Sequence, residues 1–154
     1  MTRGVVVAIC ISPAAGAPMQ EVQQVEAIAG EGLSGDRYSR GEGSFNKGKQ
    51  GRRQVTLINA LFVDGSGFAY HETRRNIAVC GIELMDQISQ EFHIDGVRLL
   101  GIKYSDPCMR PTKLSGNKLA FRDVFHDRGG IVAEILESGM IKVGSIMIPR
   151  NKDY

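Results

Sequence analysis

The stretch Tyr104-Ser105-Asp106-Pro107-Cys108-Met109-Arg110-Pro111 contains the one cysteine of three that lies in polar, turn-forming sequence. Pro107 fixes its own φ at about −65° and biases Asp106 toward extended geometry, so Cys108 is expected on a stiffened turn between strand-forming segments. The thiolate is the form of cysteine that attacks sulfur or binds a soft metal, and nearby arginines favour it. Asp106 opposes it if its carboxylate points at the sulfur. An exposed loop cysteine without a role is the competing reading. Cys10 and Cys80 lie in apolar, strand-like runs, where cysteine behaves as a small hydrophobe, and both are expected to be structural.

Arg74-Arg75-Asn76 is the second group of interest. Arginine suits a phosphate because its planar fork donates two parallel hydrogen bonds. Adjacent strand residues point to opposite faces, so at most one of Arg74 and Arg75 is expected to face a given pocket. An ordinary solvated pair is the alternative. In Arg128-Gly129-Gly130 the glycines allow close approach of a ligand or of another backbone. Lys47, Lys49, Arg52 and Arg53 make a basic run interleaved with glycine, which reads as a solvated loop.

Other chemistries lack their residues. His71, His93 and His126 are far apart and no C-x-x-C or H-x-x-x-H occurs, so no zinc site is expected. Gly30, Gly32 and Gly35 match G-x-G-x-x-G, but the chain continues Ser39-Arg40-Gly41-Glu42-Gly43 instead of opening a helix. No nucleotide-binding motif is therefore supported.

The elements that must position these residues are mostly short strands. Val5 to Ile11 reads as a buried strand, too short to span a membrane. Glu21 to Ile28 alternates as a second strand, and Gln54 to Ile58 forms a third. Asn59 to Phe68 is left unassigned because Asp64-Gly65-Ser66-Gly67 interrupts any helix. Ile77 to Gly81 is a half-buried strand, and Leu84 to Phe92 suggests a short helix. Asp95-Gly96 between Phe92-His93-Ile94 and Val97 to Ile102 is a hairpin signal, since both turn residues tolerate positive φ. Leu119 to His126 can form a short helix before two closing strands, Ile131 to Leu136 and Met140 to Ile148, with Gly144 as a bend. At least seven short strands, Gly turns and few short helices favour a mainly β, closed or nearly closed barrel.

At 154 residues the chain suits one domain, 1–154. Nineteen Lys and Arg against 17 Asp and Glu give +2, too small a charge to argue for a nucleic-acid partner. Three cysteines and no export signal argue against a disulfide framework and for a cytoplasmic location.

Taken in order, Gly35-Asp36-Arg37, Arg53-Gln54-Val55-Thr56-Leu57-Ile58, Glu72-Thr73-Arg74-Arg75-Asn76-Ile77, Gly81-Ile82, Asp106-Pro107-Cys108, Arg128-Gly129-Gly130 and Gly139-x-Ile141-x-Val143-Gly144 resemble the MOSC domain. That family takes its name from the C-terminal domain of molybdenum cofactor sulfurases. The resemblance covers about residues 5–148. It implies a barrel-like, stand-alone domain in which Cys108 carries sulfur as a persulfide or ligates molybdenum of the pterin cofactor (molybdopterin). It maps the phosphate-holding residues to Arg74 and Arg75 with Asn76, and then to Arg53 and Arg128, with Asp106 beside the thiol. Implied partners are a sulfur-donating cysteine desulfurase or a molybdoenzyme. A non-catalytic module that binds a phosphorylated ligand or a protein is the alternative. Ser105 stands where many members have a second cysteine, and Tyr38 where many have histidine.

Overall fold

The computed structural model describes residues 3–39 and 53–150. In chain order the elements are β1 (Gly4–Ile11), β2 (Gln20–Val22), β3 (Gln24–Ile28), β4 (Gly32–Leu33), β5 (Val55–Asn59), α1 (Ala60–Val63), β6 (Ile77–Cys80), β7 (Glu91–Ile94), β8 (Val97–Tyr104), α2 (Arg110–Ser115), α3 (Phe121–Val124), β9 (Ile131–Glu137), β10 (Gly139–Lys142) and β11 (Ile146–Pro149). Seven strands close into a barrel in the order β11-β7-β8-β9-β5-β6-β1, with β1 returning to β11 through Gly4↔Met147 and Val5↔Ile146. Neighbours are antiparallel except β5 and β6, which run parallel with Leu57↔Ile77 and Asn59↔Val79. The expected mainly β, closed barrel with a few short helices is the observed architecture.

Strand alternation sorts side chains to the two faces of the barrel. Leu57, Ile77, Val79, Phe92, Leu99 and Ile131 join one buried cluster that fills the interior. Their neighbours Ile58 and Ala78 join a second cluster with Ala60, Phe68, Phe121 and Phe125, which packs α1 and α3 against the outside of β5 and β6. Phe68 meets Phe121 edge-on at 5.4 Å, and Phe121 stacks on Phe125 at 4.4 Å. Offset and edge-on pairs of this kind add to area burial.

Three expectations are corrected. The segment Glu21 to Ile28 is two strands: β2 pairs with β1 on the barrel, while β3 joins a separate sheet, β10-β3-β4. The helix expected from Leu84 to Phe92 is a 3-10 turn at Leu84–Gln87, after which β7 begins. Phe92 cannot serve both, because it pairs with Leu99 in the β7–β8 hairpin. In that hairpin only Asp95 takes positive φ, at 49°. Its carboxylate accepts from Ser145 Oγ at 2.6 Å and Ile146 N at 3.0 Å, so the turn also anchors β11. Finally, the Cys108 turn leads from strand β8 into helix α2, where strand-forming sequence was expected on both sides.

Candidate functional site

Cys108 lies between β8 and α2, half-buried, on a turn held by its neighbours. Ser105 N donates to Gly130 O at 2.9 Å, and a Cβ on Gly129 would fall 2.1 Å from Ser105 O and 3.1 Å from Pro107 Cδ. Gly129 therefore has to be glycine for the two turns to touch. Arg75 crosses both turns: its Nε donates to Gly129 O at 2.7 Å and its Nη2 to Ser105 O at 3.3 Å. Its guanidinium also lies 5.4 Å from the Phe121 ring centre, so the α3 aromatic cluster supports it from beneath.

These contacts bring Arg53, Arg74, Arg75 and Cys108 into one pocket with Arg37, Tyr38, Arg110 and Pro111. Both Arg74 and Arg75 line it, which corrects the expectation of one. Strand β6 begins only at Ile77, and Arg74 takes the left-handed conformation, φ 63° and ψ 15°. The alternation of an extended strand does not apply there. Arg74 Nη1 donates to Ala17 O, and Arg74 O accepts from Arg37 Nη2 at 3.1 Å. Among the described residues neither Arg74 nor Arg75 meets a carboxylate at ion-pair distance.

Burial, then Arg53, pushes the Arg75 guanidinium down to about 10, with Tyr38 and Cys108 pulling the other way. Burial, then Arg37 and Arg110, lowers Arg74 to about 10 as well. Both are cations at neutral pH, crowded by like charge and without a matched anion. Arg37 is better provided for. Its Nη1 meets Asp36 Oδ1 at 3.1 Å, and the fully buried Asp36 also accepts from Ser12 N and Tyr38 N.

Tyr38 is buried at 3% exposure. Its hydroxyl accepts from Arg37 Nη2 at 3.4 Å and Arg53 Nε at 3.3 Å, and the Arg37 guanidinium lies 4.4 Å from the ring centre. Burial alone would raise the phenol, but Arg37, Arg53 and Arg75 together bring it below its ordinary value.

Three other residues singled out from the sequence stand outside this pocket. Asn76 is buried in the barrel wall, where Oδ1 accepts from Thr56 N at 3.0 Å and Thr56 Oγ1 at 3.2 Å, and Nδ2 donates to Cys10 O at 3.1 Å. It ties β1, β5 and β6 together. Asp106 is exposed. Arg128 turns away from the thiol, with its guanidinium 4.6 Å from the Phe62 ring centre. The contribution of the Arg128-Gly129-Gly130 stretch to the Cys108 site is its backbone. Lys47, Lys49 and Arg52 lie outside the described residues.

Arg37 and Tyr38 entered the sequence reading only as parts of a family pattern, and Arg110 only as a flank of Cys108. The residue type was the available signal in each case: a cation or phenol beside a glycine turn or a proline. Ser105 Oγ is buried with no hydrogen-bond partner among the described residues. Cys10 is buried, and burial followed by Glu21 raises its thiol to about 12, the inert state expected of it. Cys80 is half-buried. Among the described residues no three His, Cys, Asp or Glu side chains gather to hold a metal ion. None of the described helices is long and apolar enough to cross a membrane.

No protein-family model matches the chain, and no curated protein matches it by sequence. Solved structures do match. The YuaD protein from Bacillus subtilis aligns with a TM-score of 0.77 at 17% identity, over 99% of this chain and 100% of that one. YiiM from Escherichia coli aligns at 0.64 and 11% identity, over 99% of this chain and 71% of that one. YiiM from Geobacillus stearothermophilus aligns at 0.68 and 12%, over 97% and 76%. At these identities the likeness is one of fold, and the chain shares its barrel with YuaD and YiiM.

Proposed function

We propose that residues 1–154 form one cytoplasmic domain of the MOSC type, associated with the molybdenum cofactor, in which Cys108 carries sulfur as a persulfide or ligates molybdenum. The observation that carries the reading is the convergence of Cys108 with Arg53, Arg74 and Arg75 in one pocket, with Arg74 and Arg75 buried and no carboxylate at ion-pair distance from either among the described residues. The motif pattern and the shared barrel support it.

The residues fit the implied cofactor at its anionic end. Arg74 and Arg75 offer forked donors to a phosphate, with Arg53 beside them. When bound, the cofactor would supply a molybdenum centre for the soft Cys108 sulfur to ligate. The pocket holds about 30 Å³, room for a group the size of a sulfur atom or a water and not for a pterin ring. Arg74 also lines an adjoining hollow of about 240 Å³ with Pro18, Met19, His71 and Leu114, into which a larger ligand would extend. Asn76 holds the wall behind the arginines, while Arg128 and Asp106 act outside the pocket.

As a sulfur carrier, the Cys108 thiolate attacks the terminal sulfur of a persulfide on a cysteine desulfurase. The donor's S–S bond breaks, the donor leaves as a thiolate, and a new S–S bond forms on Cys108 with no net oxidation. Arg75, held against the same turn, supplies positive charge beside the reacting sulfurs. A molybdoenzyme would then receive the sulfur. Whole-protein mass and metal analysis before any reductant test this reading. One added sulfur, or bound molybdenum, is expected in the protein and absent from Cys108→Ala with folding unchanged. Equal retention in the variant overturns it.

The arginines also favour a second reading, a non-catalytic module for a phosphorylated ligand or partner. On that reading Cys108→Ala binds phosphate as well as the parent and neither carries sulfur nor molybdenum.

A further inference from the structure

The cations around Cys108 exceed the anions that the described residues set against them. Arg37 has Asp36, and Arg37 and Arg53 both donate to the Tyr38 hydroxyl. Arg74, Arg75 and Arg110 line the same pocket, and none of the three meets a carboxylate at ion-pair distance among the described residues. Arg75 is 6% exposed and spends Nε and one Nη2 N–H on the carbonyls of Gly129 and Ser105. Its Nη1 has no acceptor among the described residues and is not sealed from solvent. Arg110, the first residue of α2, is exposed and Cys108 is half-buried, so the pocket can be entered from outside. Glu72, the carboxylate of the adjoining hollow, accepts from Ala69 N at 2.8 Å.

Charge, chemistry and size each restrict what this pocket takes. The unmatched arginines call for more negative charge than one thiolate or persulfide supplies. The thiol calls for a sulfur atom that it can attack. The volume of about 30 Å³ admits one such atom, with the rest of the molecule at the opening. A persulfide on a protein side chain brings a single charge with a polypeptide behind it. Thiosulfate brings two charges on a body the size of sulfate and ends in a sulfane sulfur.

We propose that Cys108 takes its sulfur from a small oxyanion with a terminal sulfane sulfur, of the thiosulfate class, which makes the chain a sulfurtransferase toward a free anion. This inference rests on the sulfur-carrier reading of Cys108. The sulfane sulfur enters the small pocket, and the sulfonate stays at the opening against Arg74 and Arg110, where the 240 Å³ hollow that Arg74 also lines leaves room. The Cys108 thiolate attacks the sulfane sulfur, the S–S bond of thiosulfate breaks, and its electron pair leaves with sulfite. A new S–S bond forms on Cys108. A thiolate and a dianion become a persulfide anion and a dianion, so charge is conserved and neither a proton nor an oxidant is needed. The two reactants repel each other in water, and the arginines offset that repulsion.

The test reduces the protein, removes the reductant, adds thiosulfate, and reads released sulfite together with whole-protein mass. Glutathione persulfide serves as a second donor that lacks a sulfonate. Thiosulfate is expected to add one sulfur at Cys108 and release one sulfite, and Cys108→Ala is expected to do neither. Arg110→Gln alters an exposed side chain and should raise the thiosulfate concentration for half-loading about fivefold, with a smaller change in the maximal rate. Arg110→Lys, which keeps the charge but not the fork, should fall between the two. Loading from glutathione persulfide but not from thiosulfate overturns this inference and leaves Cys108 a sulfur carrier. Loading from neither donor overturns the carrier reading with it. Loading at an unchanged thiosulfate concentration in both Arg110→Gln and Arg74→Gly marks an ordinary exposed thiol and overturns the proposed anion site.

Discussion

Around Cys108 the charged side chains reaching the pocket are donors: Arg37, Arg53, Arg74, Arg75 and Arg110. Across the Arg128 turn, in the cleft lined by Asn59, Phe62 and Glu83, the balance reverses, with the carboxylates of Glu83 and Asp127 against one described cation, Arg128. Both clefts depend on one turn, Arg128-Gly129-Gly130, whose backbone serves the first and whose arginine serves the second. Charge, more than shape, separates the two clefts of this barrel. The first has the field to attract an anion, and the second lacks it.

The most damaging change to that division is Gly130→Ala. A Cβ there would lie 1.9 Å from Leu57 O, on a residue with φ +88°. A loss of at least about 3 kcal/mol in urea unfolding is expected, because steric overlap adds to backbone strain. A loss near zero would show that the turn yields and does not hold the clefts apart. Asn76→Ala removes the bonds to Thr56 N, Thr56 Oγ1 and Cys10 O. It should cost about 2–3 kcal/mol by the same measurement while sulfate still binds the folded variant. Sulfate affinity that collapses without loss of stability would make Asn76 a ligand instead of a strut.

Arg74→Gly sharpens the comparison with little backbone cost, because glycine adopts the left-handed conformation freely. Sulfate binding, followed by calorimetry, should fall about tenfold, and an unchanged affinity would remove Arg74 from the anion site. The smallest effect is graded with pH. Arg74 and Arg75 sit at about 10, below their ordinary value. Between that point and the unfolded value, the unfolded chain holds more protons than the folded one, so stability without an anion rises with pH. Sulfate favours the cations, so its stabilisation is full at neutral pH and fades as pH passes about 10. Melting temperatures with and without sulfate from pH 8 to 11 should converge, and a constant difference would place the anion elsewhere.

Much of the barrel was legible because its strands carry alternating or continuous apolar runs broken by glycine. β1, β5, the β7–β8 hairpin and the closing strands all have that form. Helix α2 went unread although Pro111 near its start and Gly116 in the left-handed region at its end are its signals. The stretch is too short for helical periodicity to show. At the site, Cys108 stood out by residue type and the arginine pair by its chemistry. What could not be read was direction. Arg74 and Arg75 share a pocket because one backbone angle breaks the strand rule, and Arg128 faces elsewhere because Phe62 holds it. Such outcomes depend on contacts between residues distant in sequence.

The seam between β1 and β11 bears on how the protein is made. Gly4 and Val5 wait for Ile146 and Met147 before the ring can close. Until those late residues emerge from the ribosome, the edge of β1 that β11 will cover stays open. Pairings this distant close slowly, and an unclosed sheet edge invites aggregation in the interval. Yield from cells should therefore respond to chaperone supply and growth temperature more sharply than the stability of the finished barrel would suggest.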